Sequence, residues 1–223
     1  MKVVVTAGPT REHLDPVRFL SNPSTGKMGF AIAAEAARRG YDVTLVAGPV
    51  ALKTPKGVKR VDVVSAREML KRSLEGLGGL EGGKVVFIST AAVADWRPAR
   101  CSAKKLKKSQ MSGTLKLVRN PDILKTLHRS IKQSNNLNNP NNRTIHLVGF
   151  AAETNDVLKE AARKCREKGL SVIVANDVTQ EGCGFGTDTN KVTFVFPDGT
   201  KKDFPLMTKR MVAKRILDEV SRL

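Results

Sequence analysis

The fold is decided by Lys2-Val-Val-Val-Thr6-Ala7-Gly8, then Gly26-Lys-Met-Gly-Phe-Ala-Ile-Ala-Ala-Glu-Ala-Ala-Arg-Arg39-Gly40, then Asp42-Val-Thr-Leu-Val-Ala47. Val3 to Ala7 is a continuous run dominated by β-branched residues, the pattern of a strand covered on both faces. Met28, Ile32, Ala33, Ala36 and Ala37 recur at helical spacing. The segment ends in a basic pair, with Gly40 where a left-handed cap is expected. A strand, a helix and a second strand of this kind form a parallel pair with its crossover. The alternation continues outward. Val58 to Val64 reads as a third strand, Ala66 to Leu74 as a helix and Lys84 to Thr90 as a buried strand. Asp122 to Ile131 reads as a helix with Pro121 at its first turn, where a missing N–H costs nothing. Thr144 to Phe150 reads as a strand, Glu153 to Lys168 as an amphipathic helix closed by Gly169, and Leu170 to Ala175 as a strand. The tail differs. Lys191 to Phe196, the turn Pro197-Asp-Gly-Thr200 and Lys201 to Phe204 predict a hairpin, and Met207 to Leu223 a closing helix. Gly8 to Ser24 and the Asn-rich tract Ser134 to Asn142 read as loops. With no repeat or linker, residues 1–223 form one domain of the α/β class, a three-layer Rossmann-like parallel sheet with an appended C-terminal β-hairpin.

Composition narrows the function classes. The 223 residues carry 39 Lys+Arg against 21 Asp+Glu, a formal net charge of +18. Such a surplus points to anionic small molecules, to nucleic acid, or to a solvated surface biased by host composition. One Trp, one Tyr and eight Phe, none interleaved with the lysines, leave nucleic acid without stacking platforms. The longest apolar stretch, Val85 to Ala94, contains Ser89 and Thr90 and falls well short of the roughly 20 residues of a membrane span. The N-terminus enters a strand pattern directly, with no leader-like segment, so a cytoplasmic location is expected. Cys101, Cys165 and Cys183 are odd in number and far apart, which fits reduced thiols, and His13, His128 and His146 show no ligand spacing.

Open parallel sheets bind ligands outside the carboxyl ends of their strands. After the first strand, Gly8-Pro-Thr10 departs from the GxGxxG spacing, and no acidic residue ends the second strand, which disfavours a nicotinamide oxidoreductase. Ser24-Thr-Gly-Lys-Met-Gly29 is similar to the end of a phosphate-binding P-loop. However, Ser21 stands where the first glycine belongs, and Met28 replaces the metal-binding hydroxyl. What survives is a helix N-terminus offering N–H groups to an anion beside Lys27, or simply a helix capped by Ser24 or Thr25. Asp95, at the end of a buried strand, reads either as a turn-former or as the carboxylate that holds a divalent metal on a polyphosphate. Lys104, Lys105, Lys107 and Lys108 read either as a solvated loop or as a mobile lid closing over phosphates. Gly182-Cys-Gly-Phe-Gly186 reads as a turn before the hairpin.

Taken in order, the motifs form a recognisable set. Thr6-Ala-Gly-Pro-Thr-Arg-Glu12, Asp15-Pro-Val-Arg-Phe-Leu-Ser-Asn22 and Ser24-Thr-Gly-Lys-Met-Gly29 resemble the opening of bacterial phosphopantothenoylcysteine synthetase, the phosphopantothenate–cysteine ligase family. Ala91-Ala-Val-Ala-Asp95, Lys105-Leu-Lys-Lys108, Arg119-Asn-Pro-Asp122, Val148-Gly-Phe-Ala-Ala-Glu-Thr154, Ala175-Asn-Asp177 and Phe185-Gly-Thr-Asp-Thr-Asn190 extend the match over nearly the whole chain. The resemblance implies that the carboxylate of 4'-phosphopantothenate attacks the α-phosphate of CTP and expels pyrophosphate. The amine of L-cysteine then displaces CMP from the acyl cytidylate, giving a coenzyme A precursor. It implies Mg²⁺ as cofactor, a homodimer and no nucleic-acid or membrane partner. By the same resemblance Arg18 and Asn22 face phosphopantothenate and the acyl group, Ser24, Gly26 and Lys27 help hold phosphates, and Ser89, Thr90 and Ala91 line the nucleotide pocket. Asp95 reaches the nucleotide or its Mg²⁺, and Lys105 contacts the acyl phosphate from a flap. Pro121, Asp122, Ile123, Leu124 and Phe150 form the base pocket, and Lys164 and Lys168, four apart on a helix, add contacts to CTP. Pro23 and Trp96 depart from residues common in the family. The hairpin Lys191 to Phe204 is the expected dimer contact. In many bacteria this unit is the C-terminal half of a fusion with a flavin-dependent decarboxylase. Lys53, Lys56, Lys59, Arg60 and the basic closing helix belong to no assigned site.

Overall fold

The computed structural model describes residues 1–78, 83–110, 113–136, 143–153, 156–177, 179–180, 182–184 and 186–223. Eight strands form one sheet: β1 (Lys2–Ala7), β2 (Asp42–Ala47), β3 (Val58–Asp62), β4 (Gly83–Ser89), β5 (Arg143–Glu153), β6 (Val172–Asp177), β7 (Val192–Val195) and β8 (Lys201–Asp203). Their spatial order is β8-β7-β6-β5-β4-β1-β2-β3. The first six run parallel, β7 is antiparallel to β6, and β8 is antiparallel to β7. The chain winds outward in opposite directions from β1 and β4, which places the topological switch between them and opens a crevice at their carboxyl ends.

Helices α1 (Lys27–Arg38) and α5 (Lys209–Arg222) cover one face; α2 (Ala66–Leu77), α3 (Ile123–Asn136) and α4 (Val157–Glu167) cover the other. The period of two along β1 sorts its side chains. Val3, Val5 and Ala7 pack against Ile32, Ala33, Ile216 and Leu217, whereas Val4 joins Met69 and Phe87 on the opposite side. All of these are fully or almost fully buried, each worth about 1.5–3 kcal/mol for the larger aliphatics. An acid locks the first layer together. Glu35, buried on α1, receives Arg38 at 2.7 Å and Arg39 at 3.0 Å, and Arg39 also reaches Asp218 of α5 at 2.8 Å. These arginines hold the Glu35 carboxyl down at about 2 against the cost of its burial.

The predicted three-layer architecture and C-terminal hairpin are present; the hairpin's Pro197–Thr200 turn closes with Phe196 N–H donating to the Thr200 carbonyl at 3.0 Å. Several details differ. The predicted loop from Gly8 to Ser24 contains an antiparallel ribbon, Arg11–His13 with Phe19–Ser21, because the Asp15 carboxylate folds the intervening residues into a tight turn. A second ribbon pairs Trp96–Pro98 with Leu117–Arg119, and a third pairs Thr189–Asn190 with Met207–Thr208. Strand β5 runs on through Glu153, since pairing with Val172–Asp177 continues to that point, and α4 starts only at Val157. Helix α3 begins at Ile123, with Asp122 as its cap: its Oδ1 accepts the Lys125 N–H at 3.0 Å. The helix also runs through Ser134, and the rest of the Asn-rich tract, residues 137–142, lies outside the described residues.

Candidate functional site

At the switch point the loops after β1 and β4 are zipped together. Ala92 N–H donates to the Gly8 carbonyl at 2.9 Å, Thr90 Oγ1 donates to the Thr6 carbonyl at 2.5 Å, and Ala94 N–H donates to Thr10 Oγ1 at 3.0 Å. Two openings flank this seam and share Phe150, which stands near the end of β5.

The first opening is a cavity at the N-terminus of α1, lined by Ser24 to Gly29, Thr90, Phe150, Asn176, Asn190 and Lys209. Gly26 has the positive φ of +78° that bends the chain into the helix, and no side chain caps it. Ser24 Oγ accepts only the Gly26 N–H, at 3.4 Å. The alternative in which Ser24 or Thr25 caps this helix is therefore not what forms. The first-turn N–H groups lack intrahelical acceptors and carry the positive end of the helix dipole into the cavity. Lys27 stands beside them, its Nζ donating to the Gly186 carbonyl at 2.7 Å and pairing with Asp188 at 2.8 Å. Among the described residues, the side-chain carbonyl oxygens of Asn176 and Asn190, both more than nine-tenths buried, have no hydrogen-bond partner.

The second opening lies between the loop Ser89 to Asp95 and the start of α3, lined by Asn22, Ser89, Ala91, Asp95, Pro121, Asp122, Ile123, Leu124, Phe150 and Lys168. Asn22 Nδ2 donates to the carbonyls of Ala92 at 3.2 Å and Val93 at 3.3 Å, which fixes the orientation of its amide. Its Oδ1 is the remaining hydrogen-bonding atom of that amide, an acceptor. Lys168, just past α4, pairs with Asp122 at 2.8 Å across the cleft. Burial opposes the Asp122 charge, but Lys168 and the Lys125 N–H outweigh it and hold the carboxyl below its ordinary value. Asp95 is exposed, and its backbone carbonyl accepts the Asn120 N–H at 2.8 Å. No group of three or more potential metal ligands occurs among the described residues, so Asp95 can contribute one carboxylate only. One carboxylate suffices for Mg²⁺ that arrives on polyphosphate and keeps several of its waters.

Three residues of the predicted set stand apart from both openings. Arg18 is held by the buried Asp15, at 2.5 Å from Nη2 and 3.0 Å from Nε, and also donates to the Leu106 carbonyl at 2.8 Å. Lys105 is exposed on the segment that this contact anchors, beside a short 3-10 turn at Lys108–Gln110. Lys164 sits in the last turn of α4 without lining the cleft, because a residue four positions earlier on the helix lies a full turn from Lys168 at the rim. Conversely, Asn176, Asn190 and Lys209 had no role assigned from the sequence. The two asparagines fall inside the matched motifs, but Lys209 looked like one more charge of a basic helix.

The family model for the DNA/pantothenate metabolism flavoprotein C-terminal domain matches residues 1–223. The chain is 46% identical over 223 residues to the coenzyme A biosynthesis bifunctional protein CoaBC of Escherichia coli (strain K12), and 45% identical over 222 residues to that of Bacillus subtilis (strain 168). Each alignment covers 99% of this chain and 51% of the relative, so the chain spans about half the length of these curated relatives. Among solved structures, the C-terminal domain of a coenzyme A biosynthesis bifunctional protein CoaBC superposes with a TM-score of 0.77 at 40% identity, covering 98% of this chain and 93% of that one. On a match of this extent, this chain belongs to the family of the DNA/pantothenate metabolism flavoprotein C-terminal domain.

Proposed function

We propose that this chain is a phosphopantothenate–cysteine ligase that uses CTP and Mg²⁺ in coenzyme A biosynthesis. The observation that carries the reading is the pair of openings joined at Phe150, one built for an anion at the α1 N-terminus, the other edged by Asn22, Asp95 and the Asp122–Lys168 pair. Relatives that share 45–46% identity over this region are named as coenzyme A biosynthesis proteins.

In this reading the CTP phosphates lie against Ser24, Gly26 and Lys27, and the base lies against Pro121 to Leu124 and Phe150. Lys168 and, from further away, Lys164 add positive charge. A carboxylate oxygen of 4'-phosphopantothenate attacks the α-phosphorus, the bond to the bridging oxygen breaks, and pyrophosphate leaves. Two anions react here, so the protein must align them and offset their charge rather than supply a nucleophile. Mg²⁺, held through Asp95 and the phosphates, supplies charge neutralisation when bound. Ser89, Thr90 and Ala91 line the path between the openings. Arg18 and Lys105 add cations to the acyl phosphate from the anchored 104–108 segment. The amine of cysteine then attacks the acyl carbon, loses a proton and expels CMP. With its Nδ2 engaged by two carbonyls, Asn22 serves this second step best through Oδ1, accepting an N–H of the incoming amine and aiming its lone pair at the acyl carbon.

The deciding experiment incubates the purified chain with CTP, Mg²⁺, 4'-phosphopantothenate and cysteine, and follows pyrophosphate, CMP and the amide. All three form in equal amounts if the reading holds; a folded chain that forms no CMP refutes it. Replacing CTP by ATP in the same assay tests the nucleotide choice through kcat/KM. A homodimer, with the hairpin Lys191 to Phe204 as its contact, belongs to the same proposal and is checked by light scattering.

A further inference from the structure

Lys209 is the first residue of α5, yet its side chain turns into the cavity at the α1 N-terminus, where only 9% of the residue remains exposed. Its Nζ donates to the Thr187 carbonyl at 2.5 Å. Among the described residues no carboxylate forms an ion pair with it, and nearby Asp188 is engaged by Lys27. A buried ammonium normally requires an anion. Two local features make the shortage worse. Lys209 opens α5 and Lys27 opens α1, so each cation sits at the positive end of its own helix dipole. Burial first, and then the Lys27 charge, depress the Lys209 pKa, and the Asp188 charge offsets only part of that. Asn176 and Asn190, unpartnered in the same cavity, mark it independently as a place where a polar ligand is missing from the hydrogen-bond account.

We propose that Lys209 is a phosphate-binding residue of this site, closing with Lys27 on the two terminal phosphates of the nucleotide and staying on pyrophosphate as it leaves. The inference rests on the reading of the chain as nucleotide-dependent. It implies an unusual pairing of effects: Lys209 lowers the stability of the empty protein and raises its affinity for a polyanion.

Inorganic pyrophosphate is the probe, with the full chain and a Lys209→Met variant. Calorimetric titration should show pyrophosphate binding weakened by at least about tenfold in Lys209→Met, while the thermal midpoint without ligand is unchanged or higher. The KM for CTP should rise by a similar factor with the KM for cysteine unaltered. A structural lysine would give the reverse, a lower midpoint and unchanged affinity. A second measurement needs no variant: pyrophosphate should protect Lys209 from amine labelling read by mass spectrometry. Unchanged affinity in the variant, or labelling indifferent to pyrophosphate, overturns the proposal. Pyrophosphate binding that depends on Lys209 in a chain that forms no CMP would instead refute the ligase reading and leave this site standing.

Discussion

Replacing Gly29 by alanine tests whether α1 is a positioning element of the anion cavity. A Cβ built at Gly29 lies 2.5 Å from Ala7 Cβ, 2.5 Å from Thr90 Oγ1 and 3.1 Å from the Thr6 carbonyl oxygen. Relaxed carbon contacts sit at about 3.5–4.0 Å, so the first turn of α1 must retreat by roughly 1 Å. None of the neighbours can swing aside. Ala7 and the Thr6 carbonyl belong to the central strand β1, and Thr90 Oγ1 is fixed by its bond to that carbonyl. Overpacking of this kind costs about 1–3 kcal/mol. At about 2–4 °C per kcal/mol for a chain of this length, the thermal midpoint should fall by several degrees. The functional effect should be larger, because a displacement of about 1 Å in positioning groups costs on the order of a hundredfold in rate. The control is Gly40→Ala, at the far end of the same helix. There φ is +76° but nothing lies within 4 Å of the added methyl. That variant should lose about 1 kcal/mol through backbone strain alone and keep normal kinetics. Steady-state kinetics in CTP and thermal unfolding are measured on both. Wild-type kcat/KM for CTP in Gly29→Ala refutes the assignment of the α1 N-terminus to the phosphates.

Three further perturbations have defined outcomes. Glu35 ordinarily titrates near 4.5 and is held at about 2 in the fold, so its stabilisation is complete above 4.5 and disappears as pH falls toward 2. Glu35→Gln should be less stable than wild type by on the order of 2–3 kcal/mol at pH 7, with the gap closing toward pH 2; a pH-independent gap in urea titrations contradicts this. Asp15→Asn turns an amide donor toward the Arg18 guanidinium or the Leu106 N–H, both of which the carboxylate now accepts, so trypsin should cut within 104–108 severalfold faster. Equal digestion rates would show that Asp15 does not anchor the lysine segment. Asn22→Asp faces the Ala92 and Val93 carbonyls with acceptors only, so acyl cytidylate should accumulate in quenched reactions while pyrophosphate release continues; normal turnover with no trapped intermediate contradicts the assigned role.

Some of this was legible in the sequence for physical reasons. The segments β1, α1 and β2 each carry a strong period and a clear stop, so local pattern and final packing agree. The ribbon at Arg11–His13 and Phe19–Ser21 has three-residue strands of mixed polarity, and its existence depends on Asp15 accepting the N–H groups of Val17 and Arg18. No period announces that. The C-terminal end of β5 is set by six consecutive partners on β6, a tertiary fact that overrides the helix pattern read from Glu153 onward. In the site, motif order pointed to many of the residues that line the two openings but gave no role to Asn176, Asn190 or Lys209, and it said nothing about which residues meet. Arg18 is tied through Asp15 and Leu106 to the segment that carries Lys105, whereas Lys27 pairs with Asp188 at the other opening, although all three are cations in matched motifs. Gly29 looked like a fragment of a phosphate loop. Its physical reason is the close approach of α1 to β1.

The excess of +18 also takes on a different meaning once the acids are placed. Lysines and arginines are everywhere on this surface, so their positions discriminate little; the few carboxylates discriminate well. Glu35 and Asp218 absorb Arg38 and Arg39, Asp62 absorbs Arg60, Glu160 and Glu167 bracket Arg163, and Glu219 takes Lys202. These pairs neutralise the flanks of the sheet. At the carboxyl ends of its strands the supply is thinner: Asp188 answers Lys27 and Asp122 answers Lys168, while Lys209 and the uncapped N-terminus of α1 face the cavity without a further carboxylate among the described residues. Uneven placement of this kind, with partly apolar walls, is what focuses a positive field toward one end of a molecule and steers polyanions there. The two buried asparagine oxygens are acceptors, which suit a ligand that carries hydroxyl donors beside its phosphates. On the proposed reading, the placement of charge and of hydrogen-bond acceptors fits a nucleotide at the switch point, an argument separate from the motif that first suggested one.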